Sequence, residues 1–139
     1  MQVKVKLLTK DAQLPQYSRT GDAALDLSAV SISETDTQIV CGTGIAIEIP
    51  DEHVGLLFPR SSITKYDLLL HNSVGVIDSN YRGEIIFKFT KLKKDGNMYK
   101  VGDRIGQIVI LPIPKVEPVL ADNLTDSNRG IDGFGSSGN

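Results

Sequence analysis

The sequence predicts an all-β domain, built as a sandwich or a closed barrel. Three observations carry that expectation. Apolar residues recur with period two in one segment after another, turn-forming residues separate the segments, and no stretch has the period of a long amphipathic helix. With 139 residues the chain can bury a core as one domain.

From the N-terminus, Val3, Val5 and Leu7 alternate with Lys4 and Lys6, which predicts a strand from the first residues. Asp26 then interrupts an apolar alternation between Leu25 and Leu27. Ile45, Ile47 and Ile49 alternate with Ala46, Glu48 and Pro50. SSITKYD (61–67) suits a short turn of helix after Pro59-Arg60, capped by Ser61 or Ser62. NSVGVID reads as two short extended pieces around Gly75, forming a hairpin. Ile85, Phe87 and Phe89 alternate with Ile86, Lys88 and Thr90, and Asp95-Gly96 signals a further hairpin. Ile108 and Ile110 lie in a near-continuous apolar run suited to a two-sided core. Pro112, Pro114 and Pro118 punctuate the late strands and suit edges or bulges. Apolar density drops from about Ala121, which divides the chain into a β domain (1–121) and a flexible C-terminal arm (122–139).

Composition narrows the functions. The 15 basic and 17 acidic residues give a net charge of −2, against broad binding to a nucleic-acid backbone but compatible with a small anion held by a few arginines. Cys41 is the only cysteine, so no internal disulfide forms, and no Cys/His cluster has zinc spacing. His53 and His71 read as surface or hairpin polarity. Neither a signal segment nor an apolar run near 18 residues is present, so the expectation is a protein that starts at Met1, makes no membrane contact and works in a reducing, cytoplasmic compartment.

Five stretches could carry chemistry. In PRSSI (59–63), Arg60, Ser61 and Ser62 can surround a phosphate with bidentate and hydroxyl hydrogen bonds, or simply make a surface turn. In HNSVGVIDSNYRGE (71–84), exposed main-chain groups at a strand edge can read a base as a neighbouring strand would. Asn72 offers donor and acceptor on one amide, while Asp78 and Asn80 also suit an ordinary turn. Asp26 in GDAALDLSA (21–29) either points outward from a half-buried strand or binds a hydrated metal. In DRIGQIVI (103–110), Arg104 can pair with Asp103, and Gln107 can face solvent. The glycine-rich RGIDGFGSSGN (129–139) carries one cation, Arg129, and one ring, Phe134.

Taken in order, GDAALDLSA, PRSSI, GVIDSNYRGE, RIGQIVI and RGIDGFGSSG closely resemble the five motifs of the homotrimeric dUTPase family, and LTKDAQLPQYSRTGDAALDLSA resembles its usual opening. The resemblance implies a distorted, jelly-roll-like β-barrel, a homotrimer with active sites at subunit interfaces, and hydrolysis of dUTP to dUMP and pyrophosphate with Mg2+. That reaction limits uracil in DNA and supplies dUMP for thymidylate synthesis. By the same resemblance, Asp78 orients and deprotonates the attacking water. Asn72 and the backbone of Val76, Ile77 and Asp78 hold the uracil edge, and Tyr81 packs on the deoxyribose. Arg60, Ser61, Ser62 and Gln107 contact phosphates, and Arg104 is structural or phosphate-side. Asp26 reaches the magnesium through water. Arg129 and Phe134 close over phosphate and base, so the arm orders only on ligand.

Three departures stand out. Asp132 occupies a usual glycine of the fifth motif, Gly106 a usual alanine, and Ala24-Leu25 the common pair before Asp26. Two alternatives are a dCTP deaminase-like enzyme, in which a glutamate is expected near Asp78, and a dUTPase-fold regulatory module that grips a partner protein.

Overall fold

A computed structural model describes residues 1–131 and 133. Nine strands and one short helix follow in the order β1 (Lys4–Leu7), β2 (Leu25–Ser28), β3 (Ser31–Glu34), β4 (Gln38–Glu48), β5 (His53–Phe58), a 3-10 helix (Ser61–Lys65), β6 (Leu68–Leu70), β7 (Gly75–Ile77), β8 (Glu84–Lys91) and β9 (Arg104–Pro112). All pairings are antiparallel. One sheet runs β1-β4-β8-β6, with β3 also on β4; the other runs β2-β9-β5-β7. The chain changes sheet at nearly every connection, the jelly-roll-like arrangement. The two ladders stay separate sheets among the described residues, so the sandwich alternative describes the fold better than a closed barrel.

Period two drives the packing. On β8, Ile85, Phe87 and Phe89 are buried while Ile86 and Lys88 are exposed, because successive side chains point to opposite faces. Ile39, Cys41, Ile45 and Ile47 on β4 meet them, and Leu27, Leu57, Ile105 and Ile108 close the core from the second sheet. Burial pushes the Cys41 thiol up to about 12, so it stays protonated. Among the described residues, no helix is long and apolar enough to cross a membrane.

β4 carries a bulge between Gly42 and Ala46, where it exchanges β3 for β1 as partner. Gly44 takes a left-handed φ of 66°, and any Cβ there would meet Thr9, Val30 and Ala12 at 3.0 Å or less. Buried Thr43 donates to the Ile85 carbonyl at 2.6 Å, and Glu84 accepts from Gly44 N–H at 2.7 Å, so the polar groups of the bulge are satisfied.

The structure corrects three expectations. Asp95-Gly96 makes a turn but no hairpin, because the chain leaves the sheet. Asn97 N–H donates to the Asp67 carboxylate at 2.9 Å, its amide donates to the Lys65 carbonyl at 2.6 Å, and Tyr99 packs between Tyr66 and Phe89. Pro112 ends β9 beyond the reach of β2, which pairs only as far as Ile108, and no strand follows to be punctuated by Pro114 or Pro118 among the described residues. The helix is 3-10, its N-cap is Arg60, and neither Ser61 nor Ser62 caps it. Beyond β9, Val116, Val119, Leu120, Leu124 and Ile131 are almost fully exposed.

Gly106 has a packing reason: a Cβ there would run into the Phe87 ring. Gly106→Ala is expected to destabilise the fold by about 1–3 kcal/mol through overpacking, read as a fall of several degrees in thermal melting. An unchanged melting temperature would mean that the ring yields freely.

Candidate active site

Three neighbouring strands assemble one group of polar residues. Asp26 on β2 sits opposite Gln107 on β9, and Gln107 opposite Phe58 at the end of β5, just before Pro59-Arg60. Leu27 and Ile108 face the core, so Asp26 and Gln107 alternate onto the outer face of the sheet. The Gln107 amide donates to the Pro59 carbonyl at 3.1 Å and fixes the start of the PRSSI turn. Asp26 Oδ1 accepts from Arg60 Nε at 2.7 Å; its Oδ2 accepts from Arg104 Nη1 at 2.9 Å and from Ser18 Oγ at 2.8 Å. A cleft of about 390 Å³ opens here, lined by Ser18, Asp22, Asp26, Arg60, Ser61 and Gln107. Arg60 also approaches Ser62 Oγ at 3.4 Å.

Asp26 is 12% exposed at its side chain. Burial pushes its carboxyl up, but hydrogen bonds from Ser18 and Arg60 and the charges of Arg60 and Arg104 outweigh burial and hold it below its ordinary value of 3.8. Arg104 therefore pairs with Asp26 rather than with Asp103, whose carboxylate instead accepts from Lys100 N–H at 2.8 Å. Ser18 was not visible as a site residue. It lies eight positions before Asp26 and 86 before Arg104 in sequence, and only the fold brings the three together.

Both Asp26 oxygens already accept from donors, two of them guanidinium groups, and no cluster of three His, Cys, Asp or Glu among the described residues could cage a metal. Any cation here would have to keep most of its own waters, because the oxygens of Asp26 already serve Arg60 and Arg104.

A second group gathers at the sheet edges. β6 pairs with β8 in the first sheet and β7 with β5 in the second, so NSVGVID is a crossing between sheets rather than a hairpin. The crossing is tight: Ser73 N–H donates to Leu70 at 3.1 Å, Val74 N–H donates to Asn72 at 2.6 Å, and Ser73 has φ 61°. Between the edges lies a cleft of about 380 Å³, with Leu57, Asn72, Gly75, Tyr81, Ile86 and Phe87 among its walls. Gly75 packs directly on Leu57, which a Cβ would meet at 3.0 Å. β7 is an edge strand and Val76 on it is 61% exposed. The turn after Ile77 is closed by Tyr81 N–H to the Asp78 carbonyl at 3.1 Å, and Arg82 Nη1 clamps the Ser79 and Tyr81 carbonyls at 2.6 and 2.9 Å. Tyr81 OH donates to the Glu84 carbonyl at 3.0 Å. The Asp78 carboxylate is exposed and has no ion pair among the described residues. His71 pairs with Thr90 Oγ1 at 2.7 Å, and His53 with the Asp51 carbonyl at 2.9 Å, in keeping with surface polarity.

The two groups do not meet within one chain. Gln107 pairs with Phe58, whereas Ile77, next to Asp78, pairs with Gly55. Three residues along β5 at about 3.3 Å and two strand spacings of about 4.8 Å separate them by roughly 14 Å. The first group also lies on the outer face of its sheet, while Asn72, Gly75 and Tyr81 of the second line a cleft at the sheet edges with Leu57 and Phe87. Arg129 lies on an exposed turn closed by Gly130 N–H to the Ser127 carbonyl at 3.0 Å; Phe134 and Asp132 lie outside the described residues.

Replacing Asp26 tests the ion-pair cluster. A carboxyl held below 3.8 adds stability that is fully present above that value and is lost as pH falls through the lower folded value. Asp26→Asn is expected to cost roughly 1.5–3 kcal/mol near pH 7. Its melting deficit against the parent should shrink as pH falls from about 5 to about 3. A deficit that stays constant over that range would contradict the ion-pair assignment.

Comparison with known proteins identifies the family. The dUTPase family model matches residues 10–138. The deoxyuridine 5'-triphosphate nucleotidohydrolase of Desulfitobacterium hafniense (strain DSM 10664 / DCB-2) is 42% identical over 146 residues, covering 99% of this chain and 97% of the relative. That of Clostridium kluyveri is 39% identical over 142 residues, covering 99% of each. Among solved structures, the Staphylococcus bacteriophage 80alpha dUTPase with dUPNHPP superposes with a TM-score of 0.86 at 28% identity, over 99% of this chain and 98% of that one. The family is generally metal-dependent. A family match over almost the whole length, on a fold that carries these two polar groups, places the chain in the dUTPase family.

Proposed function

We propose that the chain hydrolyses dUTP to dUMP and pyrophosphate, at a site that one copy begins and another completes. The observation that carries this reading is the exposed Asp78 carboxylate, standing just past the edge strand whose first residue, Gly75, lines the cleft of about 380 Å³. Asn72 and the main chain of Val76, Ile77 and Asp78 would offer the uracil edge a fixed set of donors and acceptors. Cytosine presents a donor where uracil presents an acceptor, so a rigid edge rejects it by about 10⁴ or more. Thymine must be excluded by shape, and Gly75 packed on Leu57 supports a ribbon that does not yield. Tyr81 would lie against the deoxyribose and leave no room for a 2′-hydroxyl.

Asp78 aligns a water on the α-phosphorus and takes its proton. A bond forms from the water oxygen to that phosphorus, the bond to the bridging oxygen breaks, and pyrophosphate leaves. Arg60, Ser61, Ser62 and Gln107 hold phosphate oxygens, with Arg60 and Arg104 aimed by their shared carboxylate, Asp26. Magnesium, bound to the triphosphate with Asp26 reaching it through water, would neutralise charge and fix the phosphate conformation. Arg129 and Phe134, on an arm formed by residues 122–139, would close over phosphate and base and exclude other water.

A homotrimer is part of the same reading. The groups assigned to base and to phosphate line separate clefts, and Val116, Val119, Leu120, Leu124 and Ile131 are exposed among the described residues of the single copy, which supports cover from further copies. The buried, reduced Cys41 suits a cytoplasmic setting. In that setting the reaction would keep uracil out of DNA and supply dUMP for thymidylate synthesis.

The direct test is pyrophosphate release from dUTP, dTTP, dCTP and UTP, with and without magnesium. Strong preference for dUTP is expected. Asp78→Asn should still bind nucleotide while turnover falls by roughly 10²-fold or more. Near-normal turnover of that variant would remove the role assigned to Asp78, and ammonia release from dCTP would favour a deaminase.

A further inference from the structure

Glu84 stands where the core sheet meets the Asp78–Gly83 turn. Its Oε1 accepts from Gly44 N–H at 2.7 Å, at the β4 bulge, and its main chain pairs with Ala46. Its carbonyl accepts from the Tyr81 hydroxyl at 3.0 Å. A glutamate on a strand ordinarily turns its charge to water. This one is half-buried and folds back onto main chain. Room for it comes from Gly42, where a Cβ would stand 2.7 Å from Oε1. The need for it comes from the register shift, which leaves residues 43–45 of β4 outside the ladder with β8. Thr43 uses its own hydroxyl on the Ile85 carbonyl, and Gly44 N–H is taken up by Glu84.

On the other side, two contacts orient the Tyr81 ring. One is the Gly83 main chain, packed so closely that a Cβ there would collide with the ring and its hydroxyl. The other is the Glu84 carbonyl, which alone of the two belongs to a strand of the core sheet. A hydrogen bond to a carbonyl orients a ring only if the carbonyl is held. Glu84 is the first residue of β8, where a strand frays most readily, and its carboxylate ties that end to the bulge.

We propose that Glu84 is a positioning residue for sugar discrimination. Its carboxylate, anchored on the β4 bulge, holds the carbonyl on which the Tyr81 hydroxyl rests, and so stiffens the wall that a 2′-hydroxyl would strike. This rests on the placement of Tyr81 against the deoxyribose.

The experiment compares kcat/KM for dUTP with kcat/KM for UTP in Glu84→Ala, Glu84→Asp, Glu84→Gln and Tyr81→Phe, with thermal melting beside it. Glu84→Gln keeps an acceptor for Gly44 N–H and should retain the parent ratio. Glu84→Ala, and Glu84→Asp with its shorter reach, should lower the ratio about tenfold, chiefly by raising UTP turnover. If Glu84→Ala does not fold, Glu84→Asp carries the same test. Adding Tyr81→Phe to the Glu84 variant that folds should lower the ratio no further, because both act through one hydrogen bond. Parent ratios in both Glu84→Ala and Glu84→Asp would overturn the proposal, as would losses that multiply in the double variant. A parent enzyme with no preference for dUTP over UTP would overturn the sugar placement itself, and the proposal with it.

Discussion

The pairing of β5 with β7 on one side and β9 on the other sets where the two polar groups of this chain stand. Leu57 is held between Gly75 and Ile108, Phe58 beside Gln107, and Gly55 beside Ile77. That register presents Gln107, Asp26 and the PRSSI turn at one end of the sheet, on its outer face. It presents the β7 edge and Asp78 toward the other end. A slip of one residue would send every side chain of β5 to the opposite face. The core forbids it, since Leu57 and Ile108 are buried at 3% and 1% exposure. This arrangement sets the two polar groups roughly 14 Å apart along the sheet.

Each group is made stiff by a different device. At the Asp26 group the device is electrostatic: one low-exposure carboxylate accepts from two guanidinium groups and a serine, and so aims cations that would otherwise wander in solvent. Isolated burial of that carboxylate would be unfavourable, and its partners turn the penalty into orientation. At the group around Gly75 and Tyr81 the device is steric. Glycines at 75 and 83 let main chain and ring approach more closely than any other residue would allow, and the β4 bulge supports the wall through Glu84. On the proposed reading, charge would bind the triphosphate, while rigid shape and fixed hydrogen-bonding edges would choose its base and sugar.

Much of this was legible in the sequence, for physical reasons that differ by segment. Period-two alternation exposed the buried faces at Ile85–Phe89 and Ile45–Ile49 because local chemistry alone sets which side faces the core. The motifs named the candidate site residues, and the fold lines one cleft with Asp26, Arg60, Ser61 and Gln107 and another with Asn72, Gly75 and Tyr81. What stayed hidden was the choice of partner over long separations. NSVGVID has the composition of a hairpin, yet its two pieces join different sheets because Leu68 and Leu70 find their place on β8 and Gly75 on β5. Asp95-Gly96 makes the turn its residues favour, but Asp67 captures the chain before a second strand can form. Asp103 is the obvious neighbour for Arg104, and distant Asp26 takes it instead. The Ser18 hydroxyl and the Gly44 N–H are short-range needs met by long-range contacts, which no local pattern announces.

Whether two copies complete one site is most directly measured by mixing Asp78→Asn and Arg60→Gln chains, each inactive alone, unfolded and refolded together in equal amounts. If one copy supplies Asp78 and another supplies Arg60, mixed assemblies should recover about a quarter of the parent dUTP turnover per site. Activity no greater than the sum of the two separate variants would contradict a shared site and place all of the chemistry within a single chain.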